Sequence, residues 1–134
     1  MAAGFTPLFA GVPDDEQAGK IGERLDSNSF CRLGHDCLAV PSYDKEKPGY
    51  TPNRYWRGPI WININYMLYH GLKRYGLDDY SNKVKNSIIK LTQNYGIYKY
   101  YEPETGRGHG ASNFSWTAAL LLDLLYEEEG IDII

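Results

Sequence analysis

The sequence predicts an all-α fold of about four helices joined by two long loops. Three observations carry this. Apolar residues recur at spacings of three and four in separate segments. One late segment is apolar nearly all round. Glycine and proline gather in two stretches between these segments, around 30–54 and 96–113. No internal repeat is visible.

The N-terminal residues 5–11 form an apolar segment ending in Ala10-Gly11. Pro13-Asp14-Asp15-Glu16 reads as a helix start, with acidic side chains facing the positive end of the helix dipole. A helix is expected over 13–25, with Ala18, Ile21 and Leu25 on one face, closed by Ser27-Asn28-Ser29. The stretch 30–54 holds Gly34, Pro41, Pro48, Gly49 and Pro52. A loop of that length in a compact domain is either functional or simply surface, and both readings stay open.

The second helix is expected over 59–75, with Pro59 at its first position, where a missing N–H costs nothing. Ile60, Ile64, Met67, Leu68, Leu72 and Tyr75 follow at helical spacing, and Gly76 stops it. A third is expected over 79–94, capped by Asp78 or Asp79, with Val84, Ile88, Leu91 and Tyr95 as its stripe. Lys83, Lys85 and Lys90 lie off that stripe and read as solvated. Residues 96–113 form a loop or hairpin punctuated by Gly106, Gly108 and Gly110. The last helix, 114–128, carries Trp116, Ala119, Leu120, Leu121, Leu122, Leu124 and Leu125, and should be buried on several sides.

With 134 residues the chain is at most one domain, and 43% hydrophobic residues argue against disorder. The net charge of −3, with Lys and Arg scattered, offers no basic stripe for nucleic acid. No apolar run approaches the ~20 residues of a membrane span. Met1 to Pro13 has no basic leader, so a cytoplasmic location is the expectation. Cys31 and Cys37 are six residues apart, too wide for a metal pair, with His109 as the sole distant candidate ligand. Two ordinary thiols are the preferred reading, and a disulfide remains open. Neither a metal nor a cofactor is expected.

Twelve tyrosines and three tryptophans point to stacking platforms for sugar rings or to a Tyr-rich core, and composition does not separate these. Position is more informative. Tyr55-Trp56-Arg57-Gly58-Pro59-Ile60-Trp61-Ile62-Asn63-Ile64-Asn65-Tyr66 gathers flat apolar rings, a guanidinium and two amides at the mouth of a helix. Gly58 lets the backbone turn tightly or approach a ligand. That mixture suits a polar ligand with flat apolar faces.

This stretch resembles the signature of glycoside hydrolase family 63 and its relatives, the processing α-glucosidases and the mannosylglycerate and glucosylglycerate hydrolases. The signature Tyr-Trp-Arg-Gly-Pro-x-Trp-x-Asn-x-Asn is matched at every fixed position. Pro7-Leu8-Phe9-Ala10-Gly11 with Gln17-Ala18 matches earlier. Glu102-Pro103-Glu104-Thr105-Gly106 and Phe114-Ser115-Trp116-Thr117-Ala118-Ala119 match later. The resemblance implies that residues 1–134 are the C-terminal portion of an (α/α)6 toroid, a double ring of helices that hydrolyses α-glycosides with inversion.

Inverting glycosidases use two carboxyl groups about 6.5–9.5 Å apart, one protonating the leaving oxygen and one activating water. By resemblance the acid is an Asp upstream of everything matched here, and no Asp of this chain matches its motif. The base is a Glu whose position falls on Lys99 when the run Tyr98–Gly106 is laid without gaps. An ammonium has no lone pair with which to take a proton. Glu102 or Glu104 would substitute only through a bulge or turn, since each lies an odd number of residues from Lys99. Tyr55, Trp56, Arg57, Gly58, Trp61 and Asn65 are implied as the sugar-binding wall, with His109 as a further candidate; Trp116 and His70 read as ordinary helix residues. The expected partners are a carbohydrate substrate and, because four helices of a ring leave apolar edges, either the rest of the domain or a second copy. A degenerate copy that binds sugar without cleaving it is the competing reading.

Overall fold

The computed structural model describes residues 1–130; the reading of 1–134 as one partial domain extends to residues outside those described. The elements run α1 (Pro7–Ala10), α2 (Asp15–Leu25), a short turn α3 (Cys31–Gly34), α4 (Ile62–Arg74), α5 (Asp78–Tyr95), strands β1 (Tyr98–Tyr101) and β2 (Gly108–Ser112), and α6 (Ser115–Glu128). The described residues are mostly helical, as expected, and 96–113 is the hairpin alternative.

Helix α2 begins where its acidic start placed it. The Asp14 carboxylate accepts from the Gln17 N–H while the Gln17 side chain accepts from the Asp14 N–H, a reciprocal cap. Ala18 and Leu25 are buried and Ile21 packs beside them. Helix α4 does not start at Pro59. Trp61 is its cap and Ile62 its first residue. The reason is tertiary: Ile60 exchanges backbone hydrogen bonds with Tyr101, at 2.8 and 3.0 Å, and also bridges Pro41. Those pairings hold 59–61 extended, against a local preference for helix. In α5 the cap position falls to Leu77, and Asp78 and Asp79 lie in the first turn. Lys83 and Lys85 are not merely solvated, since they pair with Asp26 at 3.5 Å and Glu128 at 3.2 Å.

Trp61, Leu68, Leu72, Ile88, Leu91, Leu8, Leu33, Tyr101 and Leu124 form one continuous core. The long stretch 30–54 is tied to it. Asp44 binds Arg24 at 2.7 Å, the Ser42 N–H donates to the Gly58 and Pro59 carbonyls, and Val40 pairs with the Asn65 side chain. At α3 the backbone is left-handed through Cys31, Arg32 and Leu33, with φ of 57°, 48° and 57°. A Cys31–Cys37 disulfide spans this turn, so the two-thiol reading gives way to the disulfide.

Helix α6 departs most from its expected burial. Among the described residues it buries only Thr117 and Leu124 fully, while Trp116, Leu122, Leu125 and Tyr126 stay between 37 and 53% exposed. Its polar side faces α4 through Tyr66–Asp123 and Tyr69–Glu127 hydrogen bonds and a Lys73–Glu127 ion pair. The apolar sequence is thus matched by packing on one side, and its other side is an apolar face that no other described residue covers.

Candidate functional site

The site is built where the Tyr55–Trp61 loop meets the β1–β2 hairpin and the start of α6. The Ile60–Tyr101 pairing joins the first two, and the rings fall into register beside it. Trp56 stacks on Trp61 with centroids 3.9 Å apart and 12° between planes. Trp61 in turn stacks on Tyr100 at 5.0 Å, and Tyr100 on His109 at 5.6 Å. Tyr55 meets Trp56, Trp61 and Tyr100 edge-on, and Trp116 meets Trp61 and Phe114 edge-on. Offset and edge-to-face pairs of this kind add ~0.5–1.5 kcal/mol each beyond area burial. A cleft of about 240 Å³ opens beside Trp56, lined by Met1, Ala3, Ser42 and Ile64.

The expected wall residues therefore divide. Tyr55 is 46% exposed and Trp56 partly exposed, so both offer surface to a ligand. Trp61 is 1% exposed, flanked by rings, with its Nε1–H donating to the Tyr55 carbonyl at 2.9 Å. It backs the wall and offers no open face. Asn65 is fully buried, and its amide is spent inside the protein: Oδ1 accepts from Val40 N, and Nδ2 donates to the Val40 and Trp61 carbonyls. Asn65 is a brace, not a surface contact, because helical spacing turns it to the core side of α4. Gly58 is likewise committed, since a Cβ there would lie 2.3 Å from the Thr51 carbonyl oxygen. Its smallness admits the loop's own backbone. Arg57 is exposed and donates Nε–H to the Gly49 carbonyl at 3.0 Å, so it holds the loop and pairs with no acid among the described residues.

Lys99 lies on β1, partly buried, with Nζ 5.6 Å from the Tyr55 ring centroid and 5.7 Å from that of Phe114. Glu102 stands at the start of the hairpin turn, directly after β1. Its carboxylate accepts from Thr105 Oγ1 at 2.8 Å and from His109 Nε2 at 2.9 Å. His109 thereby joins the aromatic stack to the acid. Glu104 is engaged by Lys45 and Tyr50, both at 2.9 Å. Neither glutamate is ion-paired with Lys99, and each already has donors of its own. The turn that a substitute base would need exists; the Glu102 carboxylate holds the hairpin together, and the Glu104 carboxylate ties it to the 30–54 stretch.

Sequence reasoning missed Tyr100 and Phe114, and set Trp116 in the core. The alternating tyrosines of 98–101 were the available signal for Tyr100. It also missed Asn63, whose Oδ1 is buried with no hydrogen-bond partner among the described residues. A second cleft, about 390 Å³, lies elsewhere, between α3 and α5, and contains none of the expected site residues.

The Thr105 hydroxyl, then His109 and Arg107, hold the Glu102 carboxyl below the ordinary range. A depressed carboxylate stabilises the folded state above its unfolded value, near ~4.3, and that contribution is lost as pH falls through the lower folded value. Protection of the Gly106 and Arg107 amides against hydrogen exchange is expected to drop below about pH 4. Glu102→Gln should show the same loss at neutral pH.

The helical scaffold matches part of a family 63 helical toroid and is a portion of a glycoside hydrolase domain. The chain belongs to the mannosylglycerate hydrolase MGH1-like glycoside hydrolase family, whose domain model matches residues 1–117. It is 44% identical over 126 residues to the mannosylglycerate hydrolase of Rubrobacter radiotolerans, covering 94% of this chain and 28% of that protein. Alpha-glucosidase 2 of Arabidopsis thaliana is 35% identical over 88 residues, 55% of this chain and 11% of that protein. The family 63 mannosylglycerate hydrolase of Thermus thermophilus, solved in complex with glucose, superposes with a TM-score of 0.80 at 36% identity, covering 94% of this chain and 30% of that one. The same enzyme solved with Tris and D-glycerate also gives 0.80. The chain thus spans under a third of these relatives' length. No helix among the described residues is long and apolar enough to cross a membrane.

Proposed function

We propose that residues 1–134 are the C-terminal portion of an inverting α-glycoside hydrolase domain of the mannosylglycerate, glucosylglycerate or α-glucoside type, supplying one wall of the sugar site and the strand that carries the base position. The observation that supports it is the ring stack Trp56–Trp61–Tyr100–His109, which sets the signature loop directly against β1. Relatives crystallised with glucose and with D-glycerate make a carbohydrate the natural ligand class. In this reading Tyr55 and Trp56 contact the sugar, Trp61 and Asn65 hold them in place, and Lys99 occupies the position of the base. The test is a titration of tryptophan fluorescence with methyl α-mannoside and methyl α-glucoside. Saturable change that weakens about tenfold in Trp56→Ala is the expected result, on the scale of one lost stacking contact. No change with either glycoside would refute the wall.

Lys99 favours a second reading for the chain as written: sugar is bound and not cleaved. Hydrolysis by the native sequence, in a polypeptide that completes the domain, would count against it. The uncovered face of α6 further implies a covering surface, either the remaining helices or a second copy. Light scattering of the chain by itself is therefore expected to show association; a monodisperse monomer would contradict this.

A further inference from the structure

We propose that the Cys31–Cys37 disulfide is a thiol-exchange site, entered at Cys37 by a small dithiol, and that its reduction loosens the 102–107 turn of the hairpin. The two sulfurs are not equivalent. Cys31 is 1% exposed, whereas Cys37 is partly exposed and lines the cleft of about 390 Å³ between α3 and α5. A thiolate attacks a disulfide sulfur to give a mixed disulfide, at a rate set in part by access. The cleft offers that access at Cys37 and not at Cys31. Lys45 places its Nζ 3.4 Å from the Cys37 sulfur, where an ammonium attracts an incoming thiolate and holds the charge of a departing one.

The cross-link holds a turn that the backbone resists. Cys31, Arg32 and Leu33 are successive non-glycine residues in the left-handed region, and Gly34 continues it at φ 87°. L-residues visit that region singly rather than in runs. Apart from the disulfide, the turn is closed by the His35 N–H to the Arg32 carbonyl, the Asp36 N–H to the Cys31 carbonyl, and an exposed Arg32–Asp36 ion pair. Such a conformation persists only while its surroundings over-determine it.

Two contacts carry this turn to the hairpin. The Leu38 N–H, next to Cys37, donates to the Pro103 carbonyl at 2.9 Å. Lys45 spans from the Cys37 sulfur to the Glu104 carboxylate, 2.9 Å away. Downstream, Val40 is fixed to the Asn65 side chain, which keeps any release from reaching α4. Neither contact to the hairpin involves a ring of the stack, so the coupling stands apart from sugar binding. In the exchange, one thiolate of the dithiol bonds to Cys37 Sγ as the protein S–S bond breaks, and the electron pair leaves on Cys31, which takes a proton. The second thiolate then bonds to the first reagent sulfur and expels Cys37 as a thiolate beside Lys45. The protein disulfide has gained two electrons and the dithiol has become a disulfide. The Cys37 thiolate now competes with Glu104 for the Lys45 ammonium, and the freed turn withdraws Leu38 from Pro103.

The native chain, purified in air, is compared before and after dithiothreitol, beside the Cys31→Ala/Cys37→Ala variant. Maleimide labelling without denaturant is expected to find no free thiol before reduction and a reactive Cys37 after it. With excess 2-mercaptoethanol, the trapped mixed disulfide should map to Cys37. Hydrogen exchange of the Leu38, Gly106 and Arg107 amides should speed up about tenfold on reduction, while Ile88 in α5 keeps its rate. The double variant should exchange as the reduced chain does and ignore dithiothreitol; the oxidised and reduced native chain decide the matter even if that variant does not fold. Free thiols in the untreated chain overturn the site. An adduct on Cys31 overturns entry at Cys37. Unchanged exchange at Leu38 and Gly106 after reduction overturns the coupling, and a rise at Ile88 equal to that at Gly106 overturns it too, since the disulfide would then be a general cross-link.

Discussion

Lys99→Glu, placed in a polypeptide that completes the domain, is expected to raise the rate of glycoside hydrolysis by about 10²–10⁴-fold, the usual contribution of a positioned general base. The reasoning is chemical. In the register proposed above Lys99 falls on the base position, its ammonium has no lone pair with which to accept the proton of water, Glu102 is held by Thr105 and His109, and Glu104 by Lys45 and Tyr50. Restoring a carboxylate at residue 99 restores the acceptor. Single-turnover hydrolysis of an α-mannosylglycerate or α-glucoside is the measurement. No gain would show that the register through Tyr98–Gly106, or the role given to residue 99, is wrong.

Asn65→Ala carries the largest expected effect on stability, a loss of about 3 kcal/mol. Three buried hydrogen bonds disappear, and the Val40 N–H and carbonyl, deep in the core, are left without their partner. An unpaired buried group costs ~1–3 kcal/mol. For a chain of this size the midpoint of thermal unfolding should fall by roughly 10 °C or more. If Asn65 served only to touch a ligand, the variant would melt normally and lose binding alone. Arg57→Ala, which removes an exposed bond to the Gly49 carbonyl, should move the midpoint by only about a degree or two.

Much of the fold was legible because it is local. The acidic helix start at Pro13–Glu16, the stripes Ala18–Leu25 and Val84–Leu91, and the stop at Gly76 depend on residues within a turn or two of one another, and each was placed to within a few residues. The start of α4 was not. Pro59 is a good first helical residue, and only the Ile60–Tyr101 bridge, between segments far apart in sequence, draws it into extended backbone. The reading of α6 failed for a related reason: an apolar helix says that it will be covered, but not by what, and the described residues cover one side of it.

The candidate site divides along the same line. The residue types, their order and the family to which they belong could be read from Tyr55–Asn65 and Tyr98–Gly106, because a signature is a property of the chain. So could the absence of a carboxylate at residue 99. Which of those residues present a surface was decided by tertiary structure, since helical phase buried Asn65, stacking enclosed Trp61, and backbone crowding claimed Gly58. Tyr100, Phe114 and Trp116 join the ring cluster around Trp61 only because the Ile60–Tyr101 pairing and the packing of α6 bring three separate segments to one place. Sequence by itself determined what chemistry the chain carries; the contacts between distant segments determined which groups are left free to use it, because exposure and hydrogen-bond satisfaction depend on neighbours that the chain order does not name.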